Sequence, residues 1–361
     1  MPKGGALDRR VLLTGLTALA GCDKIGLSQA KAEDAPPSVP PPPLKTLAPF
    51  RIGTCVQAGQ IADPVWAALA AQNCNQLTPE WEMKMEYVVG DDGAFRFDRS
   101  DAISDFARHN GMRLYGTALV WYAEKPPWFQ QLPPDRAGFA KAYDGYIQTL
   151  VQRYRGAVGW DVVNEAVAED GEGWRQSLWS DRLGDFDHMV RAFHVAKAAD
   201  PDAVLFLNDY NLEYLPKKLD TFQKLLDRLL SAGAPVSGIG AQTHVNADLE
   251  PGVFPKALET LAKFGLPIHI SELDVSMVRT EKKFASVEAK RAAQSAVFTE
   301  VAHAYSSLPA RQRFALTLWG LRDTDSWLQK ENATDTPCVF DAEGQPNPSA
   351  GALAKGLGWK G

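Results

Sequence analysis

Two glutamates end strand-like segments of the sequence and are candidates for acid–base chemistry. Glu165 closes an apolar run in WDVVNEAV (160–167), with Asn164 beside it, and Glu272 lies in ISELDV (270–275). A buried carboxylate is costly without a partner, so such a strand end is either a structural ion pair or the edge of a reactive cleft. Two carboxylates facing each other ~5 Å apart suit glycoside hydrolysis with retention, and a gap of ~6.5 to 9.5 Å suits inversion.

The elements that must position these glutamates alternate regularly along the chain. From Phe50 onward, short apolar or β-branched runs are separated by amphipathic stretches, the pattern of parallel strands joined by crossover helices. Eight such units in ~310 residues favour one (β/α)8 TIM barrel, an α/β fold whose reactive groups gather at the C-terminal ends of the strands. The predicted strands are 50–56, 74–78, 113–121, 158–165, 203–209, 238–244, 267–274 and 314–320.

Polar or aromatic side chains stand at seven of the eight predicted strand ends, which favours a site on one rim over scattered structural pairs. They are Glu80 and Lys84, Trp121, Asn164 and Glu165, Asn208 and Asp209, Gln242 and His244, Glu272 and Asp274, and Trp319. Some have structural alternatives. A histidine on a strand can be a satisfied core residue, and Asp209 and Asp274 are expected to be hydrogen-bond acceptors of the rim.

Composition narrows the function classes. The chain has 361 residues, a formal net charge of -6 and 45% hydrophobic residues, the balance of a soluble globular protein with a sizeable core. It has no long basic run after the N-terminus, so nucleic acid is not an expected partner. The ten Trp exceed what a core usually requires and are suited to stacking on sugar rings, although some are expected to be core filler.

The N-terminus is predicted to be a targeting segment. Basic residues precede the apolar run 11–21, which is too short to span a bilayer, and LAGC (19–22) resembles a lipobox in which Cys22 is acylated. An ordinary cleaved secretory signal is the alternative. We therefore expect a lipoprotein-type signal at 1–22, a Pro-rich linker at 23–49 and one catalytic domain at 50–361, with the protein exported to the periplasm or cell surface and anchored to a membrane.

Five segments, in order along the chain, together resemble glycoside hydrolase family 10, the endo-β-1,4-xylanases. They are WDVVNEAV, NDYN (208–211), IGAQTH (239–244), ISELDV and WGLRDTDSW (319–327). The resemblance implies cleavage of β-1,4-xylosidic bonds in xylan or xylo-oligosaccharides by double displacement, with retention. It also implies that Glu165 is the acid/base and Glu272 the nucleophile, with no metal or organic cofactor.

The same resemblance assigns substrate-binding residues. Asn164 would bind the sugar 2-hydroxyl at the cleavage point, and His244 would orient Glu272, with Gln242 also in reach of Glu272. The remaining assigned residues are Glu80 and Lys84 on the non-reducing side, and Trp121, Trp319 and Trp327 as walls around the sugar, with a core position as the alternative for Trp327. A monomer is expected.

The chain departs from the family pattern at three positions. The family's T-x-E-N-x-M-K reads TPEWEMK (78–84), with Trp81 in place of Asn, and G-H-T-L-V-W-H reads GTALVWY (116–122), with Thr117 and Tyr122 in place of both His. All three are predicted to lie on the non-reducing side. The hypothesis is weaker or altered binding there, with a preference for short oligosaccharides, decorated chains or aryl glycosides.

Two other functions remain open at this point. Related barrels that hydrolyse other β-glycans share an Asn-Glu pair on the fourth strand and a Glu on the seventh. A surface-attached glycan-binding lipoprotein that has lost catalysis is the alternative from a different class, and the presence of both glutamates speaks against it.

Overall fold

The apolar runs of the sequence form parallel strands that curl into a barrel, with helices on the outside. The structure is a computed structural model and describes residues 40–361. The strands are β1 Arg51–Val56, β2 Gln76–Pro79, β3 Arg113–Leu114, β4 Val120–Trp121, β5 Gly159–Asn164, β6 Val204–Asp209, β7 Gly238–Ala241, β8 His244–Asn246, β9 Ile268–Ser276 and β10 Arg313–Leu318.

Twelve α-helices in the described part of the chain connect and cover these strands. They are α1 Pro64–Asn73, α2 Met85–Val88, α3 Asp98–His109, α4 Pro127–Gln131, α5 Arg136–Arg153, α6 Leu178–Leu183, α7 Asp187–Ala199, α8 Pro216–Ser231, α9 Val253–Ala262, α10 Val287–Ser306, α11 Trp327–Glu331 and α12 Pro348–Gly356. Several begin at a side chain that accepts free backbone N–H groups: Asp63 caps α1, Asp135 caps α5 and Ser286 caps α10. Within residues 40–361, none of the helices combines the length and the apolar character that crossing a membrane would require.

The strand order shows how the barrel closes. The hydrogen-bonded order is β3-β2-β1-β10-β9-β7-β6-β5-β4, with β8 paired to β9. The two ends of this order, β3 and β4, belong to the single predicted run 113–121, and between them Gly116 pairs with Trp160 of β5. The run therefore contacts β2 at its start and β5 at its end, and the eight predicted runs form one ring. The prediction of a (β/α)8 barrel is confirmed.

The stretch between β3 and β4 passes close to β5. A Cβ at Gly116 would lie 2.1 Å from Cε3 of the Trp160 indole, so this close approach requires glycine. The strand resumes at Val120, whose pairing with Val163 places Trp121 opposite Asn164. The irregular stretch thus sets the height at which Trp121 reaches the rim.

The barrel interior carries a buried polar layer beneath the rim. The Tyr115 hydroxyl donates to Asp161 Oδ1 at 2.5 Å, and the His269 Nε2 atom lies 2.7 Å from Thr317 Oγ1. Burial raises the pKa of Asp161 to about 8 and lowers the pKa of His269 to about 3. Both groups are thereby held toward their neutral forms, which are the forms that a dry barrel interior tolerates.

The folded domain begins earlier than the predicted boundary between residues 49 and 50. Leu44 is fully buried, its backbone N–H donates to Asn73 Oδ1, and a short 3-10 helix spans Leu44–Thr46. The C-terminal end of the predicted linker is therefore part of the domain, because Leu44 belongs to its buried core. The predicted signal at 1–22, Cys22 and the linker up to residue 39 lie outside the described residues. The three described cysteines, Cys55, Cys74 and Cys338, are buried and free.

Candidate active site

A cleft of about 950 Å³ opens at the C-terminal ends of the strands. Nine of the ten residues predicted to act or bind there line it: Glu80, Lys84, Trp121, Glu165, Gln242, His244, Glu272, Trp319 and Trp327. The tenth, Asn164, does not line the cleft and is 4% exposed, but its side chain contacts Glu165. The barrel thus brings residues from six of the predicted runs into one site.

Glu165 stands at the end of β5 in an unusual backbone conformation. Its φ is 54°, in the left-handed region that costs a non-glycine residue roughly 1 to 3 kcal/mol. The side chain accepts hydrogen bonds from Trp121 Nε1 (2.8 Å) on Oε2 and from Gln242 Nε2 (3.0 Å) on Oε1. Asn164 Nδ2 adds a longer contact of 3.3 Å. Every one of these donors is neutral.

Glu272 lies within β9 and is 7% exposed. Its Oε1 accepts from Asn208 Nδ2 at 3.2 Å, and its Oε2 lies 3.3 Å from His244 Nε2. The partners of this carboxylate therefore include an ionisable imidazole, whereas those of Glu165 do not.

His244 lies between two carboxylates. Its Nδ1 atom is 3.0 Å from Asp274 Oδ2, on the opposite side of the ring from Glu272. Burial by itself lowers the pKa of His244, but the charges of Asp274 and Glu272 outweigh it and raise the pKa to about 10. His244 is therefore an imidazolium at neutral pH, and it places a positive charge against Glu272. Asp274, expected to be a structural acceptor of the rim, also accepts from Trp327 Nε1 at 2.9 Å.

A chain of amides connects the two carboxylates. Asn164 Oδ1 accepts from Asn208 Nδ2 (2.9 Å) and from Gln242 Nε2 (3.3 Å), so the donors that reach Glu165 and Glu272 share one acceptor. Gln242 was expected to be in reach of Glu272, but its side chain reaches Glu165 instead. Only its backbone carbonyl contacts Glu272, by accepting the Glu272 N–H at 2.9 Å.

One side of the cleft carries a cation held between two indoles. Lys84 Nζ lies 4.0 Å from the Trp81 ring centroid and 4.6 Å from that of Trp121. Among residues 40–361 no carboxylate lies within salt-bridge distance of this ammonium, so the rings are its main partners. Glu80, 2% exposed, accepts from Gln57 Nε2 at 2.8 Å through Oε2, while its Oε1 has no partner within the described chain. Burial raises the pKa of Glu80, and the Gln57 hydrogen bond partly offsets this effect.

The three departures from the family pattern do not lie together in the cleft. Trp81 lines it, but Thr117 is 2% exposed and does not, and Tyr122 is covered by the Arg175 guanidinium at 4.2 Å from its ring centroid. The expectation that all three face the non-reducing side was wrong for Thr117 and Tyr122. The irregular stretch between β3 and β4 turns the Thr117 side chain away from the cleft, where it contacts Asp161.

Several cleft residues were not singled out from the sequence. Tyr210, Asn211 and Tyr214 line the cleft after β6, and Arg279 lines it after β9. The NDYN motif was a signal for the first two, since a strand ended on it. Asn208, noted only as a polar strand end, proves central because it contacts both Asn164 and Glu272. Within residues 40–361 no group of three or more His, Cys, Asp or Glu side chains is arranged to hold a metal ion.

Comparison with known proteins identifies the family. The model of Glycosyl hydrolase family 10 matches residues 45–355. The chain belongs to this family. It is 35% identical over 312 residues to the endo-1,4-beta-xylanase A of Caldicellulosiruptor saccharolyticus, covering 82% of this chain and 90% of that one.

Two further relatives of this family 10 chain carry different activities in their names. The native xylanase 10B of Thermotoga maritima superposes with a TM-score of 0.79 at 30% identity, covering 87% of this chain and 97% of that structure. The exoglucanase XynX of Acetivibrio thermocellus is 33% identical over 321 residues, which cover 84% of this chain but 28% of that protein. The chain thus spans about a quarter of the length of some curated relatives that it matches.

Proposed function

We propose that this family 10 protein is a retaining endo-β-1,4-xylanase that hydrolyses xylan or xylo-oligosaccharides. The observation that carries the proposal is the unequal environment of the two carboxylates. Glu272 contacts the His244 imidazolium, whereas the hydrogen-bond donors to Glu165 are all neutral. Double displacement requires two carboxyl groups with different roles, a nucleophile and a proton donor, and the two glutamates have correspondingly different surroundings.

The proposed reaction has two steps. In the first, Glu272 attacks the anomeric carbon while Glu165 gives its proton to the leaving glycosidic oxygen, so the carbon–oxygen bond breaks and a glycosyl-enzyme ester forms. In the second, Glu165 takes a proton from water, and the hydroxide attacks the same carbon and releases Glu272. Loss of the charge on Glu272 in the intermediate lets Glu165 become a base.

His244 and the amide chain have supporting roles in this proposal. The imidazolium fixes the orientation of Glu272 and is itself fixed by Asp274, and Asn208 holds the second oxygen of Glu272. Asn164 is proposed to contact the 2-hydroxyl of the sugar at the cleavage point, and Trp319 and Trp327 to wall it. These contacts strengthen as the sugar approaches the transition state.

On the side of Glu80 and Lys84 we propose an altered non-reducing subsite. The unpartnered Glu80 Oε1 and the Lys84 ammonium supply an acceptor and a donor for sugar hydroxyls. Trp81 supplies an indole where the family pattern has an amide, and its ring already contacts both Lys84 and Tyr87. The Trp81 indole thereby replaces an amide that could hydrogen-bond a sugar hydroxyl by a larger apolar ring. This change favours short or decorated substrates over long linear chains.

The direct test is a substrate panel with product analysis. Purified protein is incubated with linear and decorated xylo-oligosaccharides, xylan, cello-oligosaccharides and mixed-linkage glucan, and proton NMR of the first product gives its anomeric configuration. The proposal predicts hydrolysis of the xylose-based substrates with a β-configured first product. An α-configured first product would refute retention. Turnover confined to glucose-based chains would favour a hydrolase of another β-glycan, and one relative, the exoglucanase XynX, is named for activity on glucose-based chains.

We also propose that the protein is an exported lipoprotein anchored through Cys22. The support is the sequence alone: the basic start, the apolar run 11–21 and LAGC. Cells fed labelled palmitate should incorporate the label into the wild type but not into a Cys22→Ala variant. Equal labelling, or none in either, would contradict lipidation at this residue.

A further inference from the structure

Lys218 on α8 is a fully buried lysine whose charge is completely enclosed by partners. Its side chain is 0% exposed, and Nζ lies 3.0 Å from Asp209 Oδ1, 3.0 Å from Glu169 Oε2 and 3.5 Å from the Tyr210 ring centroid. A buried ammonium carries a large desolvation cost, and replacing such an ion pair by hydrophobic residues of similar volume is often neutral or stabilising. A buried ion pair is therefore weak evidence for a role in stability.

Asp209 carries the effect of Lys218 to the segment that follows Glu165. Asp209 is 0% exposed, and its Oδ2 accepts from Val167 N at 3.1 Å while its Oδ1 accepts from Tyr210 N at 2.9 Å. Val167 is two residues beyond Glu165, whose own N–H donates to Asn208 O at 2.8 Å. The carboxylate of Asp209 therefore ties the end of β6 to the backbone directly after Glu165.

Arg175 braces the same segment from its other side. Its backbone N–H donates to Ala166 O at 2.7 Å, its Nε donates to Val167 O at 3.0 Å and its Nη2 donates to Tyr210 OH at 2.7 Å. Tyr210 lines the cleft, so Lys218 beneath its ring supports a cleft wall as well as the backbone after Glu165.

The backbone of Glu165 requires such support. At φ 54° a glutamate is strained and returns to a common conformation unless the surrounding structure prevents it. A shift of the backbone there moves the carboxyl group, and a misplacement of 1 Å can cost ~100-fold in rate.

We propose that Lys218 is a positioning residue for Glu165: through Asp209 it fixes the segment 166–167 and so holds the acid/base carboxyl at the leaving-group oxygen. This inference rests on the proposed function. The charge balance of Asp209 supports it. Burial raises the pKa of Asp209, Lys218 lowers it and the charge of Glu165 raises it, and the balance is a pKa of about 6. Without Lys218 the Asp209 carboxyl is more protonated at neutral pH and accepts hydrogen bonds less well.

The test uses two aryl β-xylobiosides that differ only in their leaving group. Phenol leaves poorly and needs a proton from Glu165, whereas 2,4-dinitrophenol leaves without one, and kcat/KM reports the first bond-breaking step. In Lys218→Met we expect kcat/KM for the phenyl substrate to fall about 10- to 100-fold and that for the dinitrophenyl substrate to fall less than about 3-fold. Because Lys218→Met leaves Asp209 buried without its counter-charge, the same comparison is made in the uncharged double variant K218M/D209N, which should show the same unequal loss.

Three controls make the outcome specific. Lys217→Met makes the same chemical change at the adjacent residue, whose partner is the exposed Glu172, and should leave both substrates unaffected. Lys218→Arg keeps the charge and should recover most of the phenyl activity. Equal losses on both substrates in Lys218→Met and K218M/D209N, or no loss in these two variants, would overturn the positioning role.

Failure of the proposed function is recognised separately. Glu165→Ala should itself show the unequal loss, and azide should raise its kcat with the dinitrophenyl substrate by forming a glycosyl azide. A Glu165→Ala variant that loses both activities equally would mean that Glu165 is not the acid, whatever Lys218 does.

Discussion

Replacing His244 should change how the stability of the protein depends on pH. The pKa of this imidazole rises from its ordinary 6.5 to about 10 because the charges of Asp274 and Glu272 outweigh its burial. A folded-state pKa above the unfolded value means that the stabilisation is fully present below pH 6.5 and is lost as pH rises toward 10. Each pKa unit corresponds to ~1.4 kcal/mol, so the upper bound is roughly 5 kcal/mol.

The perturbation is His244→Gln, which keeps a polar side chain but removes the charge. At pH 6 the variant should unfold at a lower urea concentration than the wild type, by a few kcal/mol in the free energy of unfolding (~1.4 kcal/mol per pKa unit). The difference should shrink steadily between pH 6.5 and 10, because the wild type loses its imidazolium over that range.

The assay is urea unfolding followed by tryptophan fluorescence at half-unit pH steps from 6 to 10.5. Subtracting the two curves removes the contribution of the tyrosines and lysines that also titrate at high pH. His194→Gln, at an exposed position on α7, serves as the matched control and should follow the wild type. Parallel curves for the wild type and His244→Gln would refute the reasoning, because they would show that no proton is gained by His244 on folding.

Three further changes give distinct expected results. Trp121→Phe removes the Nε1 donor 2.8 Å from Glu165 and should lower kcat/KM on xylotetraose about 10-fold. The melting temperature should change by no more than a few degrees. An unchanged kcat/KM would mean that this hydrogen bond does not act in catalysis. Trp81→Asn restores an amide and should raise kcat/KM on linear xylan about 10-fold while leaving phenyl β-xyloside hydrolysis alone, and a fall on xylan would reverse the proposed role of the indole. Asp161→Asn keeps an acceptor for the Tyr115 hydroxyl. Because the pKa of Asp161 in the folded protein is about 8, protonation of Asp161 stabilises the wild type at low pH, and this stabilisation is lost as the pH rises from 4 to 8. The variant should therefore gain stability relative to the wild type between pH 5 and 8 in urea unfolding, and a constant difference would contradict the raised pKa.

The sequence predicted the barrel well because each strand carries its own signal. All eight predicted runs contain strands of the structure, since a buried parallel strand reads as a short apolar run between helical stretches. The split of the third run into β3 and β4 was not predicted. Within this run Gly116 contacts Trp160, a residue remote along the chain, and no local pattern reports such a contact.

The membership of the site was likewise predictable, but its contacts were not. Strand ends converge in a barrel, so counting polar ends found Glu80, His244 and Glu272 without knowledge of distances. Which amide serves which carboxylate depends on side-chain direction, and the prediction for Gln242 failed for that reason: its side chain reaches Glu165.

Thr117 and Tyr122 show the limit of arguing from a motif. Both replace histidines in a pattern of the family, and a motif gives no information on whether the new side chain still faces the cleft. In the structure Thr117 lies against Asp161 and Tyr122 against Arg175, so Trp81 alone of the three departures contacts the space where substrate would bind.

The most direct test of the central claim is to trap the glycosyl-enzyme intermediate on Glu272. A 2,4-dinitrophenyl 2-deoxy-2-fluoro-β-xylobioside slows both steps but keeps the first one faster, so the ester accumulates. The wild type should gain the mass of one fluoroxylobiosyl group, and peptide mass spectrometry should place it on Glu272 within ISELDV, while Glu272→Ala should gain none. An adduct on another residue, or hydrolysis without any adduct, would contradict the assignment of Glu272 as the nucleophile.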